Sequence, residues 1–278
     1  MSLVEELRRR RELFINLTQR ELKGKYKRTV LGRLWSLANP LALMVVYSFV
    51  FAFIIRATPD PGDPSGLNVF PLWLLCGLLP WLYFANTVNQ GMGSLITNEA
   101  LIKKVYFPRY LLVFSSAAAV VVNWITEMVV LVIAIVIAGA WQVLLWTPAV
   151  LVAMLILAAF TLGITLMLAI ANVYFRDTQY LVTILLQLGL YLAPIIYPIS
   201  MVAQQSDRIG PLFGDVTLLQ IYQLNPFARF AEIFRSLLYD NAWPRVDDVV
   251  SCAVWAIVSL TIGWLVFSRH EKKLAELL

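Results

Sequence analysis

The chain has 278 residues, of which 60 % are hydrophobic and only 14 % charged, with a net charge of +5 and a mean hydropathy of +0.76. Soluble domains carry about 25 % charged residues, so this composition excludes an ordinary water-soluble enzyme and places most of the chain in lipid. Cys76 and Cys252 both lie in apolar stretches, which gives no disulfide framework, no metal-ligand spacing and no sign of compartment.

A bilayer core takes about 20 apolar residues per helical span. Six predicted spans meet that length, at about 34–55, 69–90, 110–138, 148–172, 180–198 and 249–267. None alternates as a barrel strand does, so each is read as a helix. Ahead of the first span, Leu3, Leu7, Phe14 and Leu17 recur at helical spacing among arginines and glutamates. Residues 3–28 therefore predict an amphipathic helix lying in the membrane interface. Residues 1–33 are too long and too charged to precede the core of a cleavable signal.

The stretch "ELKGKYKRTVLGRLWSLANP", residues 21–40, crowds Lys23, Lys25, Lys27, Arg28 and Arg33 against the first span. Gly32 permits a bend, and Asn39 followed by Pro40 is a cap and first-turn pair that predicts the start of the membrane helix. Lysine and arginine concentrate on the cytoplasmic side of membrane proteins. With both termini inside, only Arg56, Arg208, Arg229, Arg235 and Arg245 fall outside, which fixes the expected orientation. The charge alone fits a plain topology signal. It leaves the sharp turn into the first span unexplained.

Between spans two and three, "TNEALIKKVYFPRY" offers Asn98 as a cap, an apolar face of Leu101, Ile102 and Val105, and Pro108 as a stop. A short helix lying crosswise at the surface would dock a partner; an ordinary loop with Lys103 and Lys104 as topology markers is the alternative. Glu127 falls mid-way along the third span, where an ionisable group faces the bundle interior, a cavity or a partner. It reads either as a gating or packing residue or as a protonated glutamate bonded to a neighbour such as Asn123. Arg176 and Asp177 read as a local pair between spans four and five, or as a short solvated turn.

Pro194 and Pro198 predict a break at the end of span five, and residues 199–246 are far too long for an ordinary connection of about 4–6 residues. Within them, "NPFARFAEIFRSLLYD" opens on the cap pair Asn225 and Pro226, then sets Phe227, Phe230, Phe234 and Leu237 or Leu238 on one face. Arg229, Glu232 and Arg235 fall elsewhere, and residues 200–209 are the expected partner of this helix. It reads as a re-entrant cap over a cavity or as an interfacial decoration. No G-x-x-x-x-G-K-[ST] occurs, so no phosphate-cradling loop is present and energy must come from outside the chain. His270 is the sole histidine and is read as a solvated tail residue, which leaves neither a His-based metal site nor a His base.

Four stretches, "YKRTVLGRLWSLANPL" (26–41), "KKVYFPRYL" (103–111), "NVYFRDTQY" (172–180) and "LNPFARFAEIFRSLLY" (224–239), carry a resemblance along essentially the whole chain. In this order they resemble the membrane subunit of the second type of ABC exporter, in the branch that exports lipid-linked polysaccharides such as O-antigens and teichoic acids. The resemblance implies an all-α polytopic membrane protein of six transmembrane helices, working as a homodimer. It also implies an N-terminal interface helix (1–33), a cytoplasmic coupling helix (97–109) and two short external gate helices (199–246) within a membrane domain spanning 34–278. Two copies of a separate ATP-binding subunit would hold the ATP and Mg, and this chain would bind no cofactor, metal or nucleic acid. The expected location is the bacterial cytoplasmic (inner) membrane.

Expected site residues follow from that reading. Lys23, Lys25, Lys27, Arg28 and Arg33 would draw an anionic lipid diphosphate. Tyr47, Phe51, Tyr191 and Tyr197 would line the lumen, since aromatic rings offer sugars a flat apolar face; interfacial belts account for Trp35, Trp81, Trp141 and Trp146. Glu99, Leu101, Ile102, Lys103, Lys104 and Tyr106 would meet the ATPase, and Phe227, Phe230 and Phe234 would form the gate. A related exporter of drugs or single lipids would share the scaffold without a polymer-width lumen. An intramembrane transferase using carboxylates alone would need no ATPase.

Overall fold

The structure is a computed structural model that describes residues 3–26, 29, 32, 35–55, 61–105, 107–213 and 216–274. Helix α1 (Leu3–Tyr26) precedes α2 (Trp35–Ser48), which continues in wide i→i+5 turns through Phe49–Ile55. Next come α3 (Phe70–Thr97), the short α4 (Glu99–Lys104), α5 (Tyr110–Ile137), α6 (Val143–Tyr174) and α7 (Thr178–Leu192). Helix α8 (Ile199–Ile209) leads into a small antiparallel hairpin of β1 (Pro211–Phe213) and β2 (Val216–Thr217), then α9 (Leu218–Leu224) and α10 (Pro226–Arg235). Helix α11 (Val246–His270) follows and runs into a 3-10 turn at Glu271–Lys273.

Helices α3, α5, α6 and α11 are long and apolar enough to cross a bilayer, so the chain is a multi-pass membrane protein. The shorter apolar helices α2 and α7 occupy the first and fifth predicted spans. Helix α2 does not begin at Asn39–Pro40. It starts at Trp35 and carries a buried Pro40 inside it, because a proline this close to a helix start removes a single rung of the ladder. Helix α7 stops at Leu192, short of the predicted end at 198. The residue before a proline disfavours helical dihedrals, and Ala193, before Pro194, is extended at φ −95°, ψ 145°.

Helix α3 is the hub, with Leu74, Cys76, Leu78, Val88, Met92 and Leu95 sealed from solvent. Its Tyr83 stacks on Trp124 of α5 with ring centres 4.0 Å apart. Asn172 of α6 donates from Nδ2 to the Met92 carbonyl of α3 at 3.2 Å. Helices α6 and α11 cross almost backbone to backbone. A Cβ on Gly163 would stand 2.2 Å from the Ser259 backbone, and one on Gly263 2.2 Å from the Gly163 carbonyl oxygen. Ser259 Oγ also donates to the Phe160 carbonyl at 3.1 Å. Such small-residue crossings suit lipid, where close packing rather than escape from water holds helices together.

The bundle has two distinct ends. At the terminal end α1 packs on α5, and Arg109 at the start of α5 donates its backbone N–H to Glu271 Oε1 at 2.8 Å. At the distal end the 61–69 loop packs on the wide turn Ser236–Asp240 that follows α10. Ser65 N–H donates there to the Asp240 carbonyl at 3.0 Å, and Val69 N–H to Tyr239 Oη at 3.2 Å.

Candidate translocation path and coupling surface

The distal block is built from local capping chemistry. Asn225 Oδ1 accepts the Phe227 N–H at 3.0 Å and Pro226 fills the first helical position, as the cap pair predicts. Upstream, Thr217 and Gln220 form a reciprocal capping box that starts α9. The Thr-x-x-Gln spacing is the sequence signature of such a box. Leu219 N–H donates to Ser206 Oγ at 3.2 Å, so α8 lies against α9 rather than forming the direct partner of α10. Three short helices and a hairpin thus stand where two helices were expected.

Helix α10 re-enters the bundle. Phe227, Phe230 and Phe234 are 6 %, 1 % and 0 % exposed. Phe227 meets Trp81 and Phe84 of α3 at 4.7 and 4.4 Å, Phe230 meets Phe160 of α6 at 5.5 Å, and Phe234 meets Trp124 of α5 at 6.0 Å. These rings anchor α10 to three helices. On its other side Arg229 donates to the Gln223 carbonyl at 2.9 Å and to Asp248 Oδ1 at 3.1 Å, fastening the block to α11. Arg235, which the helical pattern sets off the phenylalanine face, is also turned inward and is 2 % exposed.

A row of tyrosines crosses from α2 to α9. Tyr47 and Tyr191 set their hydroxyls 3.5 Å apart between α2 and α7. Tyr197 Oη donates to the Tyr191 carbonyl at 2.8 Å and stands 3.2 Å from Tyr222 Oη on α9. Phe51 lies edge-on to Tyr47 with ring centres 6.5 Å apart. Tyr191 is 55 % exposed, and Tyr47, Phe51, Tyr197 and Tyr222 are half-buried. All four expected lumen residues therefore share one row. Tyr222 is an addition that spacing could not reveal, since it lies 25 residues from Tyr197 across the hairpin.

At the terminal end α1 and α4 meet around one asparagine. Asn98 does not cap α4. Its Nδ2 donates to the Ser94 carbonyl at 2.8 Å, while its Oδ1 accepts from the Arg20 guanidinium of α1. The side chain is spent on a tertiary contact, which leaves the cap empty. Leu17 and Ile102, each 5 % exposed, plug α1 and α4 into a cluster with Leu111, Leu112, Ile170 and Phe267. Phe14 is partly buried on the same cluster, as the amphipathic pattern predicts, and Leu13 joins it. Outward, Lys103 Nζ bonds Glu99 Oε1 at 2.6 Å, and Lys104 and Val105 are exposed. That hydrogen bond, then the Lys103 charge, holds the Glu99 carboxyl below its ordinary value, with a weaker pull from Arg176. Leu101 lies half-buried between the two faces.

A family model described as ABC-2 type transporter matches residues 12–239. The chain belongs to the ABC-2 type transporter family. It is 30 % identical to the O-antigen export system permease protein RfbA of Myxococcus xanthus, over 99 % of both chains. It is 27 % identical to the protein of the same name from Klebsiella pneumoniae, over 96 % of this chain and 95 % of that one. The polysialic acid transport protein KpsM of Escherichia coli is 21 % identical over 91 % of each chain.

The remaining expected residues of this ABC-2 chain are less concentrated. Lys23 is exposed on the last turns of α1, and Lys25 belongs to the same helix. Lys27, Arg28, Arg33 and Tyr106 lie outside the described residues. Glu127 is half-buried on α5, one turn beyond the buried Asn123. Arg176 and Asp177 are both exposed in the turn between α6 and α7. His270 is not a solvated tail residue: its Nδ1 stands 2.8 Å from the Val266 carbonyl and its ring packs edge-on to Tyr174 at 5.7 Å, because α11 extends to it. Among the described residues no group of three or more His, Cys, Asp or Glu side chains could hold a metal. A groove of about 540 Å³ between α6, α10 and the start of α11 is walled by Val152, Ile156, Ile233, Trp243 and Val249 and is apolar almost throughout.

Proposed function

We propose that this chain is the membrane subunit of an exporter that carries a polyprenyl-diphosphate-linked cell-surface polysaccharide, such as an O-antigen or teichoic acid, out of the cytoplasm. It works as a homodimer in the bacterial inner membrane with both termini cytoplasmic and six spans, α2 and α7 being the first and fifth. Two copies of a separate ATP-binding subunit hold ATP and Mg. The supporting observation is the tyrosine row from Tyr47 to Tyr222, in a chain related along its length to O-antigen export permeases. Sugar hydroxyls need a polar, continuous path through hydrocarbon, and rings with polar tips supply faces for stacking and hydroxyls for sliding contacts.

In this mechanism ATP binding moves α4, through Glu99, Leu101, Ile102, Lys103, Lys104 and Tyr106. The Arg20–Asn98 contact carries α1 with it. Parting of the Tyr47 and Tyr191 hydroxyls opens a lumen between α2 and α7 of each copy. The lipid diphosphate is drawn by Lys23, Lys25, Lys27, Arg28 and Arg33, and the polymer leaves beneath α8–α10. Phe227, Phe230 and Phe234 act in gating by limiting how far α10 swings.

The test is complementation of a strain lacking its own permease, with the cognate ATP-binding subunit supplied. Joint Tyr191→Ala and Tyr197→Ala substitution should cut surface polysaccharide severalfold while the protein still reaches the membrane. A second reading, export of drugs or single lipids, draws on the apolar groove between α6, α10 and α11. Unchanged polymer display together with altered small-molecule resistance in the tyrosine variant would select it.

A further inference from the structure

Residues 193–198 leave helical geometry, yet 193–196 stay inside the molecule: Ala193 and Ile195 are 0 % exposed and Ile196 3 %. Two of these residues are prolines without an N–H, and Ile195 N–H is turned back on the Ala193 carbonyl at 2.7 Å. Within a membrane protein, buried non-helical backbone needs donors from the protein itself. Here one side chain provides them. Arg235 donates from Nη1 to the Pro194 carbonyl at 2.9 Å and from Nη2 to the Ile195 carbonyl at 2.7 Å. Its Nη1 also reaches Glu232 Oε1 at 3.0 Å, and its guanidinium carbon lies 3.6 Å over the Trp73 ring of α3. Gly77, one turn along α3, clears the space, since a Cβ there would stand 3.0 Å from Arg235 Nη2.

We propose that Arg235 is a positioning residue that clamps the unwound 193–198 segment, α3 and α10 into one body, so that the tyrosine row moves only together with α10. Three features carry this. Arg235 bonds two successive carbonyls, a demand that the planar fork of arginine meets and the single ammonium of lysine does not. The clamped segment lies within the row, because Tyr197 Oη is bonded to the Tyr191 carbonyl on the far side of Pro194. Glu232 pairs with the guanidinium at 3.0 Å and sets an opposite charge beside it inside the bundle. The consequence for transport rests on the export reading above: parting of the tyrosines and displacement of α10 are then a single event, with no separate distal gate.

Hydrogen–deuterium exchange on the full chain, purified with its ATP-binding subunit into nanodiscs, reads the clamp directly. Arg235→Lys should raise exchange severalfold in 195–199 and 226–240 together and leave α1, α5 and α6 unchanged. Gly77→Ala retains the arginine but crowds its Nη2, and should give the same paired pattern at smaller amplitude; it decides the matter if Arg235→Lys does not fold. Polymer display should fall in both variants while ATP hydrolysis persists. A rise confined to 226–240, or one spread evenly along the chain, would overturn the clamp. If the unaltered chain displays no polysaccharide at all, the export reading fails while the exchange result still decides the clamp.

Discussion

Both ends of the bundle carry short amphipathic helices outside the long spans, yet they are held in opposite ways. Distal α10 sinks three phenylalanines among four rings of α3, α5 and α6 and adds two arginine attachments. Terminal α4 is six residues long and inserts Ile102 as its buried side chain, leaving its charges outside. The first arrangement makes a helix part of the core, so that it moves only when the core moves. The second makes a helix whose outer face is available to something else and whose inner face is thinly fastened. Under the export reading proposed above, this asymmetry would give a soft contact where force enters and a stiff one where the path is shaped.

Truncation of the buried anchors should break the asymmetry most visibly. Phe230→Ala removes a ring that is 1 % exposed and should lower stability by about 3 kcal/mol, toward the lower end for such changes because lipid already solvates apolar groups. The measurement is thermal unfolding of the detergent-purified protein, where a clear drop in Tm is expected. Leu17→Ala at the terminal end should behave differently despite similar burial. It should release α1, seen as faster proteolysis between α1 and α2, with the Tm of the bundle unchanged. Equal effects of the two substitutions on Tm would erase the distinction between the ends.

A smaller effect sharpens the picture at the distal end. Burial, then the neighbouring Glu232 charge, pushes the Asp240 carboxyl up to about 6 from its ordinary 3.8. The folded state therefore holds this proton through a range in which the unfolded chain has lost it, and stability falls as pH rises from about 4 to 6. Asp240 is partly open to solvent, so the slope is shallow. Asp240→Asn should flatten it, leaving a Tm in detergent that changes less between those pH values than in the unaltered chain. A slope that survives the substitution would locate the titrating group elsewhere.

The same contrast explains which features the sequence alone makes legible. The four long spans were legible because lipid demands unbroken apolar runs, and Asn225–Pro226 was legible because capping is settled within three residues. Asn39–Pro40 and Asn98 carry the same kind of local signal, and there it misled. Asn39 lies within α2, and the Asn98 side chain is committed to Ser94 and to Arg20 78 residues away. At Asn98 a tertiary partner outcompetes the cap. The Gly163–Gly263 crossing and the Arg235 bonds to Pro194 and Ile195 join residues about a hundred and about forty positions apart. No periodicity marks such pairs.

The smallest structural effect is the most telling about the terminal end. Glu99 and Lys103 pair across one turn of α4 at 2.6 Å, and both side chains are well exposed. Such pairs add little to stability, so Glu99→Gln should leave the Tm unchanged and the Arg20–Asn98 contact intact. The bond nevertheless fixes how two charges are presented on the outer face of α4. If that face is the docking surface, the substitution should weaken co-purification of the ATP-binding subunit and lower transport for each ATP consumed. A fall in Tm would instead make α4 a strut of the bundle, and the two ends would then be fastened alike. An unchanged Tm with weakened co-purification means that the pair serves a partner outside the chain, since within it neither charge supports the fold.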